Sequence, residues 1–147
     1  MKWPTVAKPA RNPTQSLAHV IDVMATFVEV AGAQHPRQFK GLDILPLEGQ
    51  SLLPILKGDQ NRSDLPIFWE HEGNRAVRTE RWKLVSRHPG PWELYDVEAD
   101  RTGQHDLAAQ HPELVKELAA RYTAWAARCQ VLPLEKLPGS LPIKSGE

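Results

Sequence analysis

The sequence has one cysteine, Cys129, which excludes an internal disulfide and any zinc site built from clustered cysteines. Net charge is missing too, because eighteen Lys and Arg meet eighteen Asp and Glu. No basic footprint is left for nucleic acid or for an anionic membrane surface, so neither is expected as a partner. No apolar run approaches the roughly 18 residues needed to cross a bilayer. The opening Met1-Lys2-Trp3-Pro4 has no apolar stretch of the signal-peptide kind, so the chain as it stands is expected in the cytoplasm. Several catalytic signatures are also absent: the Gly-x-Ser-x-Gly elbow, the phosphate-cradling glycine loop, the dinucleotide fingerprint and the His-Glu-x-x-His helix. With 41% hydrophobic and 24% charged residues, the composition is that of a folding chain with room for one core, not of a disordered segment.

The prolines organise the rest. Pro4, Pro9 and Pro13, with no periodicity between them, mark the first fifteen residues as an extended arm. From Leu17 the apolar residues fall at Leu17, Val20, Ile21, Met24, Phe27, Val28 and Ala31, the spacing of a helix with one buried face. Ser16 is placed to cap it and Gly32 to stop it. His35 to Gln50 reads as a long loop with one extended piece at Leu42 to Leu45, and Ser51 caps a short helical turn over Leu52 to Leu56. Gly58 to Ser63 is a polar turn.

Four alternating runs follow, Pro66 to His71, Arg75 to Thr79, Trp82 to Ser86 and Trp92 to Val97. The links between them are short, which predicts an antiparallel meander, since parallel pairing needs a crossover. After a loop over Asp100 to Gln110, Pro112 opens a helix with apolar positions Leu114, Val115, Leu118, Tyr122, Trp125 and Cys129, a stripe suited to cover one face of the sheet. On that stripe Cys129 is expected to be a buried, inert thiol. A tail with Pro133, Pro138, Gly139 and Pro142 is expected to be poorly ordered.

Few residues carry chemistry. Glu70-His71-Glu72 has the right residue types for acid/base or metal work, yet neighbours on a strand point to opposite faces and at most two of the three can share a site. His71, beside a glycine-bearing turn, is the best single candidate. Asp96, Glu98 and Asp100 alternate like calcium-loop ligands, but Arg101 stands where such a loop needs Gly and Leu107 where it needs Glu, so the segment reads as a turn. No metal site is expected on this chain.

Taken together, the segments resemble the C-terminal part of the sulfatase family, the arylsulfatases in particular, from about Trp3 to Cys129. The resemblance is carried by Trp3-Pro4, by His19-Val20-Ile21-Asp22-Val23-Met24-Ala25-Thr26, with Ala25 where the family has Pro, and by Gly49-Gln50-Ser51-Leu52-Leu53-Pro54. Further along it is carried by Arg75-Ala76-Val77-Arg78 with Trp82-Lys83-Leu84-Val85, and by Trp92-Glu93-Leu94-Tyr95-Asp96 with Asp106-Leu107-Ala108. It implies an α+β chain: the end of an alkaline-phosphatase-like sulfatase α/β domain contributing one helix, then a small antiparallel sheet of about four strands packed with a long C-terminal helix. The implied divisions are residues 1–47, 48–132 and a flexible tail, 133–147. It also implies a sulfuric ester hydrolase whose formylglycine, made from a Cys/Ser-x-Pro-x-Arg motif, and whose calcium belong to an upstream region. Cys129-Gln130-Val131-Leu132 does not match that motif, and Ser140-Leu141-Pro142-Ile143-Lys144 has Lys for Arg. The chain is therefore expected to hold no cofactor of its own and no catalytic residue, and to be noncatalytic alone. His71, Arg75 and His88 are candidates for the substrate rim by that resemblance. The expected partner is the N-terminal sulfatase catalytic region, or a second copy, through Leu17, Ile21, Met24 and Val28. The alternatives are a stand-alone protein-binding module and the small subunit of a split sulfatase.

Overall fold

The computed structural model describes residues 16–59 and 65–136. The arm over 1–15 with Trp3-Pro4, part of the polar turn before Leu65, and the tail from 137 on with its Ser140-to-Lys144 segment lie outside the described residues. The chain divides into two compact units, one on each side of 60–64.

In the first unit, helix α1 spans Asp22–Val30, preceded by a turn at Val20 and Ile21. Ser16 is not its cap: the helix starts after Ile21, which has no side-chain hydrogen bond to give. Instead the Asp22 carboxylate, in the first turn, reaches back to accept the His19 amide at 2.7 Å, an anion at the end of the helix where free N–H groups favour one. The stop is as read. Gly32 has φ +60°, its N–H donates to the Glu29 carbonyl and the Ala33 N–H to the Val28 carbonyl, a paired reversal that needs the left-handed conformation glycine adopts without strain.

The buried face of α1 corrects the sequence reading. Asp22 and Thr26 are the buried residues, while Val20, Met24 and Phe27 are exposed, Phe27 by 61%. Period alone locates an apolar stripe; it does not say which side of the helix meets its own unit. Here the polar side does, because it has backbone to satisfy. Asp22 Oδ1 accepts the Gln50 amide at 2.8 Å, and Thr26 Oγ1 accepts the Leu52 amide at 2.8 Å while donating to the Asp22 carbonyl. Gly49 passes so close that a Cβ there would overlap the Ile21 carbonyl. The His19-to-Thr26 and Gly49-to-Pro54 segments are thus two halves of one construction. Strands β1 (Gln38–Phe39) and β2 (Leu42–Asp43) pair antiparallel where a single extended piece was expected, and α2 spans Leu53–Leu56, with Ser51 Oγ accepting the Leu53 amide.

The second unit is a four-stranded antiparallel meander in sequence order, β3 (Ile67–His71), β4 (Asn74–Arg78), β5 (Trp82–Ser86) and β6 (Glu93–Asp96), with helix α3 (Pro112–Arg128) on one face. Cross-strand register places Phe68 opposite Val77, Val77 opposite Leu84 and Leu84 opposite Leu94, a continuous apolar row. Val77, Leu84 and Leu94 are fully buried under Leu118 and Tyr122 of α3. Phe68 stacks on Trp125 with ring centroids 5.3 Å apart. Alternation of period two on four strands and a period-3.6 stripe on one helix thus meet in one core. The acidic turn after β6 uses its carboxylates on backbone: Asp96 accepts the Glu98 and Ala99 amides, and Asp100 the Gln104 and His105 amides.

One further expectation is corrected at the end of α3. Cys129 is exposed, because the helix stops at Arg128 and Cys129 is its C-terminal cap, past the last turn that faces the sheet. Gln130 then takes φ +55°, its N–H donating to the Ala127 carbonyl and that of Val131 to the Ala126 carbonyl. This reversal carries the chain into a 3-10 turn over Leu134–Lys136, where the described residues end.

Candidate functional site

The row next to the apolar one is polar. Glu70 lies opposite Arg75 and Arg75 opposite Ser86, two residues along each strand from Phe68, Val77 and Leu84, and therefore on the same sheet face. This row stands at the edge of a cavity of about 390 Å³, walled also by the turn residues Gly73 and His88, by Tyr122 of α3 and by the returning segment Val131 to Glu135.

Arg75 does not pair with the carboxylate across from it. Its guanidinium lies over the Trp92 ring, 4.5 Å from the centroid, and donates from Nη2 to Ser86 Oγ at 2.8 Å. Ser86, buried, donates its own hydroxyl hydrogen bond to the Gly90 carbonyl. The cation is therefore held flat and oriented. Glu70 uses Oε1 to accept the Gly73 amide at 2.8 Å, closing the two-residue hairpin turn, in which Glu72 and Gly73 both have positive φ. Gly73 is glycine for a second reason: a Cβ would come within 2.8 Å of the His88 ring. The His88 backbone donates to Asn74 Oδ1, tying one turn to the other, and its Nε2 stands 3.5 Å from Glu135 Oε1. Tyr122 packs edge-on against Trp92. Burial, and after it the Glu70 carboxylate, holds its hydroxyl above the ordinary phenol range, so it keeps its proton at neutral pH.

Of the three candidates from the sequence, the cavity joins Arg75 and His88. His71 ends β3 on the opposite face, is exposed, and does not line it. Its neighbour Glu70 does, together with Tyr122 and Glu135, which sequence reasoning passed over. The parity argument that split Glu70 from His71 was available; which parity faced the helix could have been read from Phe68, two residues before Glu70. Tyr122 was visible only as an apolar stripe position. Among the described residues no three His, Cys, Asp or Glu side chains are grouped to hold a metal ion. Calcium does not fit these donors. Nor, among those residues, is any helix long and apolar enough to cross a membrane.

Comparison with known proteins gives the arrangement a lineage. The chain is 27% identical over 139 residues to an uncharacterised sulfatase of Schizosaccharomyces pombe, an alignment covering 90% of this chain and 25% of that protein. It is 26% identical over 137 residues to the N-acetylgalactosamine-6-O-sulfatase of Bacteroides thetaiotaomicron, covering 81% and 25%. Among solved structures, one of a Bacteroides thetaiotaomicron protein from work on metabolism of multiple glycosaminoglycans matches with a TM-score of 0.70 at 24% identity, over 86% of this chain and 28% of that one. The chain thus spans about a quarter of the length of these relatives. The family model that matches residues 1–127 is described as N-sulphoglucosamine sulphohydrolase, C-terminal, and with that much of its length matched the chain belongs to this sulfatase C-terminal family.

Proposed function

We propose that the chain is the C-terminal portion of an arylsulfatase-like sulfuric ester hydrolase, and that it completes the fold and the cleft rim for a catalytic region that supplies the formylglycine nucleophile and the metal. The observation that carries this reading is helix α1. Its polar side is spent on the Gln50 and Leu52 amides, and Val20, Val23, Met24, Phe27 and Val30 are all exposed, with Glu29 the exposed charge among them. A helix that leaves this many apolar side chains uncovered is built to pack against something larger. The relatives are about four times as long as the matched region, and the partner we assign to cover this helix is their N-terminal catalytic region. The division of labour at 1–47, 48–132 and 133–147 belongs to the same proposal. Arg75 and His88 are the proposed rim residues on the cavity, contacting a part of the substrate remote from its sulfate, and His71 on the opposite face is a rim residue only for a partner that reaches that face. A Cys/Ser-x-Pro-x-Arg motif is not present in the sequence, so nothing in it is activated to attack sulfur.

The test is size-exclusion chromatography with light scattering on the chain alone and mixed with the N-terminal region of a sulfatase relative, followed by an aryl sulfate assay. We expect no turnover from the chain alone, a one-to-one complex in the mixture with hydrolysis regained, and loss of both with Phe27→Asp. A well-folded chain that ignores the catalytic region, or one that hydrolyses the ester unaided, overturns the proposal.

A further inference from the structure

We propose that the cavity beside the Glu70–Arg75–Ser86 row is a binding site for an uncharged, hydroxyl-bearing ring. Three groups on its wall hold unused hydrogen-bonding capacity. Tyr122 is 5% exposed as a whole residue and lines the cavity, and its hydroxyl, which no described residue hydrogen-bonds, is open to it. Arg75 spends Nη2 on Ser86, and its Nη1 and Nε have no partner among the described residues. Glu70 spends Oε1 on Gly73, and its Oε2 likewise has none. One wall thus offers a fixed donor, a fixed acceptor and a hydroxyl that can be either.

The charges select against ions. Arg75 faces two carboxylates on the same cavity, Glu70 and Glu135, with His88 beside the second. An anion drawn by Arg75 meets Glu70, and a cation drawn by Glu70 meets Arg75. A ligand whose hydroxyls both donate and accept satisfies Glu70, Arg75 and Tyr122 together without bringing a charge. The rest of the lining, with Ala126, Val131 and Leu134, is apolar and suits the C–H face of a ring. The volume of about 390 Å³ is at the small end of the range, roughly 300–1,000 Å³, typical of small-molecule sites. The inference goes beyond the sulfatase reading, and the two can fail separately: one is tested by binding to this chain alone, the other by reconstituted hydrolysis.

The experiment is an amide correlation NMR titration of the full chain with D-galactose, D-galacturonate and D-galactose 6-sulfate, probes that differ only at C6, at constant ionic strength. D-galactose should give saturable shifts at the amides of Gly73, Ser86 and His88 by about 50 mM, a range that a few net hydrogen bonds can reach. The two anions should bind more weakly. Tyr122→Phe keeps the ring and removes one hydroxyl, and should weaken D-galactose about 3- to 10-fold. Glu70→Gln should weaken D-galactose and strengthen both anions, a reversal that a merely structural role for Glu70 does not produce. The proposal is overturned by the absence of saturable shifts, by anions binding as tightly as the neutral sugar, or by shifts indifferent to both substitutions.

Discussion

Asp22→Ala should release the Gly49-to-Leu52 segment from helix α1. Asp22 is 2% exposed, and its two carboxylate oxygens each take a backbone N–H, His19 at 2.7 Å and Gln50 at 2.8 Å. Alanine removes both acceptors and leaves two amides in a site too enclosed for easy hydration. An amide stranded in this way costs about 1–3 kcal/mol, and bonds to a charged acceptor lie toward the upper end. The tie at Thr26 Oγ1 survives, so the segment loosens without being cut free. The direct assay is amide hydrogen exchange at Gln50, which reports the local opening that its bond to Asp22 resists. The predicted acceleration is about 5- to 150-fold, the same free energy expressed as an opening equilibrium. Asp22→Asn retains one carbonyl acceptor and should fall between wild type and alanine. The amide of Gly73, held by Glu70 in the other unit, serves as the control and should not move. Unchanged exchange at Gln50 in Asp22→Ala would refute the claim that this carboxylate organises the segment.

Other expectations follow from the same geometry. Leu84→Ala, at a fully buried position in the middle of the apolar row, should cost about 2–5 kcal/mol in urea denaturation followed by tryptophan fluorescence; a loss under about 0.5 kcal/mol would mean that the row is not the core. The Arg81 side chain holds the Asp96 carboxyl below the usual carboxylate range, and backbone amides, His105 first, do the same for Asp100. Both pKa values are depressed in the fold, so their stabilisation is present above about pH 4, the unfolded value, and is lost as pH falls through the folded values. An acid titration of Asp96→Asn should accordingly be flatter than that of wild type, and an identical profile would count against the pair. The Tyr95 hydroxyl, which donates to Glu93 Oε2 at 2.6 Å, is pushed up to about 12, chiefly by that bond. Absorbance at the phenolate band should therefore show neither tyrosine ionising in the ordinary range near pH 10, and Glu93→Gln should bring one of them down.

The arrangement also explains why two stretches that resemble sulfatases in sequence sit so far apart in the chain. His19 to Thr26 and Gly49 to Pro54 are separated by a long connection, yet Asp22 and Thr26 exist to hold the Gln50 and Leu52 amides. Gly49 has no side chain because the Ile21 carbonyl occupies the place of its Cβ. A motif of this kind is a hydrogen-bonding arrangement that positions a loop.

What the sequence determined by itself is what depends on period and on local backbone chemistry. Alternation placed four antiparallel strands, the 3.6 stripe with Pro112 placed α3, and Gly32 ended α1, because these follow from where side chains point and which residues tolerate positive φ. The tertiary structure decided which side of each element faces inward, and periodicity is silent on that. Asp22 and Thr26 are buried in place of the α1 stripe because distant amides needed acceptors, and Cys129 is exposed because the helix reverses one residue past the sheet. Glu70 replaces His71 at the cavity because Phe68 fixes the parity of β3 against Trp125. The open hydrogen bonds of Glu70, Arg75 and Tyr122 are a further product of packing, since Trp92 and Ser86 draw Arg75 away from its cross-strand neighbour.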